Sequence, residues 1–330
     1  MNEDNALSRL LGMRLALLLA PMAGVGGGHL AAAVSRAGGL GLVGGGYGDT
    51  AWLATQLRLC RDETFGVGFI TWALQRQPAL VPQALDAGAR AVLLSFGTMG
   101  GFAQQVRQSG AVLIAQVQTV AQARIAAQEG AQIIVAQGGE GGGHSGVRGT
   151  MALVPAVVDA VGAFGVPVVA AGGIADHRGF AAARALGAAG VMCGTAFYAA
   201  EESLADPRAK QLLVEASGDR TVKGDWFDLA RGLDWPGGPW GLRTLGNAFS
   251  DHWQGQGDAL RRQLPDAQRQ YNAARERGDF DIAAVIAGEA ADLVRAVRPA
   301  HLIVREIVGG NVGGNVGGNV GGIGPAQPVR

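Results

Sequence analysis

Eight short apolar runs at a near-constant interval constrain this chain more than any other feature. They are Leu15 to Pro21, Gly41 to Gly44, Phe65 to Ile70, Ala91 to Ser95, Val112 to Val117, Ile133 to Gln137, Val166 to Ala171 and Gly190 to Gly194. Ala-rich stretches with helical spacing separate them. Their starts lie roughly 20 to 35 residues apart, which is the length of a strand, a helix and two short connections. A strand apolar on both faces must be covered on both faces, as a parallel sheet wrapped by crossover helices provides. Eight such units predict an α/β protein with a closed TIM (β/α)8 barrel. The rival, an open doubly wound sheet, binds its nucleotide at the first strand-to-helix turn. Here that turn reads Pro21-Met22-Ala23-Gly24-Val25-Gly26-Gly27-Gly28, which has glycines but no clean G-x-G-x-x-G paired with an acidic residue after the next strand. The closed barrel is the better reading.

With 48% apolar and 16% charged residues over 330 positions, the chain can bury a large core and is not a disordered one. Lys plus Arg equals Asp plus Glu at 27 each, so no net field draws it to nucleic acid or to an anionic membrane. The two cysteines, Cys60 and Cys193, allow neither a disulfide framework nor a Cys-rich metal site, and a cytoplasmic location is the expectation. Leu15 to Ala20 follows Arg9 and Arg14 as a signal-peptide core would. Glu3 and Asp4 spoil the basic leader, and the run is too short to span a bilayer, so it reads as a buried strand.

The eight units end near Ala200. Residues 1–205 are therefore read as the barrel. From Asp206 strands give way to helices around Leu212, Leu260, Leu264 and Tyr271 and over Asp281 to Val297, so residues 206–308 are read as a helical subdomain over the barrel mouth. Residues 309–330 repeat Gly-Gly-Asn-Val and are read as a flexible tail, because such a sequence buries too little apolar area to offset its ordering entropy.

In a barrel the loops leaving the strand C-termini hold the ligand. The longest glycine cluster follows the sixth run: Gln137-Gly138-Gly139-Glu140-Gly141-Gly142-Gly143-His144-Ser145-Gly146. Without side chains, backbone amides can approach a flat ligand closely. His144 brings an imidazole that serves as acid, base or donor near neutral pH. Glu140 reads equally well as a loop anchor or as a functional group. After the seventh and eighth runs come Gly172-Gly173 and Met192-Cys193-Gly194-Thr195, where barrels commonly hold a phosphate. The only lysines, Lys210 and Lys223, complete no P-loop, the other histidines show no zinc-ligand spacing, and no nucleophile elbow surrounds Ser145. A flat phosphorylated ligand with no protein nucleophile or metal remains, and FMN fits that description.

At this point the residues resemble the flavin-dependent nitronate monooxygenases. The resemblance runs through Ala20-Pro21-Met22-Ala23-Gly24, Ala31 to Ser35, Ala37 to Gly41, Phe65 to Phe69, Val135 to Gly138, Gly142-Gly143-His144 and Val169 to Ile174, then Phe227 to Gly232 and Gly288-Glu289-Ala290. It implies FMN at the barrel mouth, with Pro21, Met22 and Ala23 along the isoalloxazine ring. Gln137, Gly142 and Gly143 would contribute from the sixth loop, and Gly172, Gly173, Met192, Cys193, Gly194 and Thr195 towards the phosphate. His144 falls on the family's active-site histidine. The implied reaction oxidises a nitronate, or a neutral nitroalkane, with O2 to a carbonyl compound and nitrite. Two positions depart from the pattern: Gly68 stands where many members have Asn, and Gly141 replaces the usual Ala. Trp72 either fills the volume vacated at Gly68 or packs beneath the lid.

The closest alternative is an NAD(P)H-dependent FMN reductase acting on an enoyl thioester or quinone; a barrel binding a phosphorylated metabolite without redox chemistry is the other. A homodimer is compatible with the sequence.

Overall fold

The structure, a computed structural model, describes residues 6–236 and 240–309. All eight apolar runs form strands of one parallel sheet: β1 (Leu17–Leu19), β2 (Gly41–Gly44), β3 (Phe65–Ile70), β4 (Ala91–Ser95), β5 (Val112–Val117), β6 (Ile133–Gln137), β8 (Val168–Ala171) and β9 (Gly190–Cys193). Three further strands, β7 (Gly143–Ser145), β10 (Thr221–Gly224) and β11 (Gly241–Leu245), build a separate sheet. In the large sheet the order is β1-β9-β8-β6-β5-β4-β3-β2. The cylinder closes where the Leu19 amide donates to Leu40 O at 2.9 Å and the Leu40 amide donates to Leu17 O at 3.0 Å.

Strand residues such as Leu17, Leu18, Leu42, Val67, Leu93, Ile114, Val135 and Val169 are fully buried, with helices outside and packed side chains inside. Each contributes about 1.5–3 kcal/mol by leaving water. Helices begin on side-chain caps where the sequence supplies them: Asp49 accepts from the Trp52 amide, Thr119 and Gln122 form a reciprocal box, and Asp176 accepts from the Arg178 and Gly179 amides.

Two expectations for residues 206–308 need correction. Strands do not disappear there. β10 and β11 pair antiparallel, and β11 also takes β7 from the sixth loop, with Leu242 opposite His144. Nor does Asp281 to Val297 form a long helix. It holds only the 3-10 turn Glu289–Leu293, because its backbone is drawn into contacts with the loops beneath: the Glu289 amide donates to Glu140 O and the Gly288 amide to Thr195 Oγ1.

The last helix, Ala300–Val308, buries Ala300, Ile303, Val304 and Ile307 in the same core as the barrel strands, against helices Gly28–Arg36 and His177–Ala185. Glu202 accepts from its first amide, Ala300, at 2.9 and 3.1 Å. That helix completes the outer ring, so the chain leaves the barrel after β9 and returns to it, and the barrel is not confined to residues 1–205. The excursion has its own core of Trp226, Phe227, Phe249, Trp253, Leu260 and Tyr271. Among the described residues no helix is long and apolar enough to cross a membrane. The tail expectation for 309–330 lies outside the described residues apart from Gly309.

Candidate active site at the barrel mouth

One cavity opens at the C-terminal ends of the barrel strands. The structure brings every sequence-predicted site residue to it: Pro21, Met22 and Ala23 after β1; Gln137, Gly142, Gly143 and His144 from the sixth loop; Gly172 and Gly173 after β8; Met192 and Cys193 at the end of β9, then Gly194 and Thr195. Tyr47, Phe96, Arg231, Trp235 and Leu242 complete the walls nearest the histidine.

His144 is fixed from three directions. Its backbone sits in β7, and its carbonyl accepts from Gln137 Nε2 at 3.0 Å. Gln137 is held in turn, its Oε1 accepting from Gln116 Nε2 at 3.0 Å and Gln118 Nε2 at 2.9 Å. Gln137 thus anchors β7 as well as bordering the cavity. Trp235 lies flat on the imidazole, with centroids 3.4 Å apart and planes 14° apart, and Phe96 approaches edge-on at 6.2 Å. Finally, His144 Nε2 lies 2.7 Å from Asp228 Oδ2. The imidazole is 7% exposed and Asp228 4%.

Asp228 reaches this position because helix Trp226–Arg231 inserts Phe227 and Ala230 into the excursion's core, which leaves the next side chain facing the barrel mouth. Arg231 Nη1 lies 3.6 Å from Asp228 Oδ1, and its guanidinium sits over the Tyr47 ring at 5.8 Å. Tyr47 Oη accepts from Trp235 Nε1 at 3.2 Å. Burial pushes the His144 imidazole below its ordinary value of 6.5; Asp228 opposes that, while Arg231 and Lys223 add to it. The ring is neutral at pH 7. Which of the two atoms donates in the Nε2 to Oδ2 contact is set by the imidazole tautomer.

The glycines divide into two groups. A Cβ on Gly142 would lie 2.6 Å from Ala287 C, and one on Gly288 would lie 2.6 Å from Gly142 N, so this pair lets the 286–290 segment press onto the loop. Gly141 has its nearest neighbour at 3.5 Å, which leaves room for the alanine usual in the family. Gly172 and Gly173 have φ of 101° and 72°, a conformation that a side chain would strain. Glu140 proves to be an anchor: its carboxylate accepts from the Thr150 amide at 2.8 Å and from the Thr150 hydroxyl at 2.9 Å. Lys223 donates to Gly146 O, and Lys210 donates to the carbonyls of Ala200, Glu201 and Ser203, so both lysines tie loops together. Cys193 is buried and its thiol is pushed up to about 12, which makes it a wall and not a nucleophile.

A Cβ at Gly68 would lie 2.2 Å from Pro21 Cγ. The Pro21 ring therefore fills the space at position 68, and Trp72 does not. Trp72 packs beneath the lid, 5.4 Å from Trp235 and 6.0 Å from Tyr47. Sequence reasoning missed Asp228, Arg231, Trp235, Tyr47 and Phe96 as parts of the site. Asp228 is 84 residues from His144, and no spacing rule links them. Phe96, with φ of 58°, is the one non-glycine residue of positive φ among those described, and nothing in its neighbours signals this.

Comparison with known proteins shows the family. A family model described as nitronate monooxygenase matches residues 75–310. Nitronate monooxygenase npaC of Metarhizium robertsii is 35% identical over 321 residues, covering 88% of this chain and 89% of that protein. The (3aS,4S,5R,7aS)-5-hydroxy-7a-methyl-1-oxo-octahydro-1H-indene-4-carboxyl-CoA dehydrogenase of Mycobacterium tuberculosis is 34% identical over 219 residues, 66% of this chain; the match spans 61% of that protein's length. The structure of FabK from Thermotoga maritima aligns with a TM-score of 0.79 at 31% identity, covering 92% of this chain and 94% of that one. With more than half its length matched by the family model, the chain belongs to the nitronate monooxygenase family.

Proposed function

We propose that the protein is an FMN-dependent oxidoreductase that oxidises alkyl nitronates, and neutral nitroalkanes after deprotonation, with O2 to a carbonyl compound and nitrite. Bound FMN would supply the one-electron acceptance that no side chain here offers. The residues fit such a group. Pro21, Met22 and Ala23 line one side of the cavity, and Gly141, Gly142 and Gly143 line it from the sixth loop. At the other end Gly172 and Gly173, both of positive φ, line the cavity without side chains and would let a phosphate approach their backbone. The first amides of helix Thr195–Tyr198 have no partner within the helix. Thr195 Oγ1 accepts from the Gly288 amide at 2.9 Å, which leaves its proton free to donate to a phosphate oxygen.

The observation that carries the reading is a buried histidine, 2.7 Å from a carboxylate, lining a glycine-rich cavity. His144 would remove the proton α to a nitro group, and Arg231, the cation lining the same wall, would favour the anion so formed. Trp235 and Phe96 exclude water from the imidazole.

A second reading is favoured by the relative that acts on a carboxyl-CoA compound: reduction or oxidation of a thioester, with NAD(P)H as partner for the flavin. One experiment separates the two. The purified protein should be yellow, stay yellow with NADH under anaerobic conditions, and take up oxygen when propionate 3-nitronate is added. Rapid bleaching by NADH without nitronate turnover would establish the reductase, and a colourless protein that takes up no FMN would defeat both.

A further inference from the structure

We propose that Asp228 is a positioning residue: its carboxylate holds the His144 proton on Nε2, so that Nδ1 is the atom that takes a proton from the substrate. This rests on the reading of His144 as a base. The 2.7 Å approach joins two side chains that are both almost wholly out of water, where a charge-assisted hydrogen bond is short and directional. A neutral imidazole has one proton. Given to Asp228, it leaves Nδ1 with a lone pair, and among the described residues no hydrogen bond reaches Nδ1.

The rest of the wall keeps the ring in this state. Trp235 covers one face at 3.4 Å, and its indole is fixed by the Tyr47 hydroxyl, so the ring cannot turn over without displacing both. Arg231 stands behind Asp228, its Nη1 3.6 Å from Oδ1, and so leaves Oδ2 turned to Nε2. The charged groups that act on His144 are Asp228 and Arg231 from helix Trp226–Arg231 and Lys223 from β10. In the proton step the C–H bond α to the nitro group breaks and its electron pair passes onto the nitro oxygens. The N–H bond forms at Nδ1, and the resulting imidazolium keeps its Nε2 proton in the hydrogen bond to Asp228 Oδ2.

The test has a readout that does not depend on turnover. The nitrogen NMR spectrum of histidine-labelled protein without flavin should show His144 in the single Nε2–H tautomer. In Asp228→Asn that preference should be lost. With FMN bound, kcat/KM for nitroethane should fall by about a hundredfold or more, the usual contribution of a general base. Turnover of preformed ethyl nitronate, which needs no base, should fall by less than about tenfold on the same scale. Asp228→Glu should recover part of the nitroethane rate. An Nδ1–H tautomer in the wild-type protein, or an Asp228→Asn variant with the nitroethane-to-nitronate ratio unchanged, would overturn the proposal. If Asp228→Asn does not fold, the wild-type spectrum still decides. A wild-type protein inactive on both compounds would refute the proposed function and leave the tautomer result standing.

Discussion

Replacing Gly68 with Ala offers a direct measurement of how the slot is built. The added Cβ would stand 2.2 Å from Pro21 Cγ and 2.4 Å from Pro21 Cβ. Carbon atoms rest at about 3.5–4.0 Å, so Pro21 must retreat by about 1.3 Å or β3 must bend. Neither is easy. Position 68 is hydrogen-bonded on both sides of its strand, opposite Gly44 of β2 and Leu93 of β4, and Pro21 is followed directly by the turn in which the Gly26 amide donates to Met22 O. Overpacking of this kind costs about 1–3 kcal/mol. Because Pro21 lines the proposed flavin slot, its displacement should also weaken FMN binding, by roughly tenfold for about 1.4 kcal/mol of lost contact. Urea unfolding would read the first effect and quenching of FMN fluorescence the second. In a Pro21→Gly background, where the colliding atoms are gone, Gly68→Ala should cost less than about 0.5 kcal/mol. Loss of less than about 0.5 kcal/mol in the single variant with unchanged FMN affinity, or the same loss with and without Pro21, would refute the steric account.

Other outcomes follow from the same geometry. His144 titrates below 6.5, so the unfolded chain binds its proton first as pH falls; its contribution to stability is complete above pH 6.5 and is lost through the depressed value. Wild type should therefore lose stability on acidification faster than His144→Gln, and parallel unfolding curves would contradict this. Trp235→Ala should raise the His144 pKa towards 6.5 in an NMR titration, since burial is the main cause of the shift and the indole provides it; an unmoved titration would place the burial elsewhere. Lys210→Met should destabilise by about 2–4 kcal/mol in urea, because three carbonyls lose a charged donor. Both thiols are pushed up to about 12, so neither Cys60 nor Cys193 should react with a disulfide reagent at pH 8 until the protein unfolds.

The barrel was legible because its information is local. Each strand is a continuous apolar run, and that pattern is dictated by burial on both faces, so all eight could be read from the chain with ends near those observed. The glycine loops and His144 were legible for a related reason, since a ligand-bearing loop must sit at a strand C-terminus and the strands were already placed. The reading failed where contacts between distant segments decide the conformation. β7 is a strand only because β11, about a hundred residues later, pairs with it. Residues 281–297 carry enough Ala to suggest a helix, yet hydrogen bonds from the Gly288 and Glu289 amides to Thr195 and Glu140 draw the chain onto the loops and leave only a short 3-10 turn.

The amino-acid sequence by itself determined the cylinder, the face that carries the site and the histidine on that face. Tertiary structure alone decided what that histidine is. Asp228, Arg231 and Trp235 reach it from a segment that leaves the barrel and comes back, and they set which nitrogen holds the proton and how much water reaches the ring. Periodicity records how each residue meets its own element's core, whereas a tautomer depends on the groups that surround one atom, and those are brought together only by the folded chain.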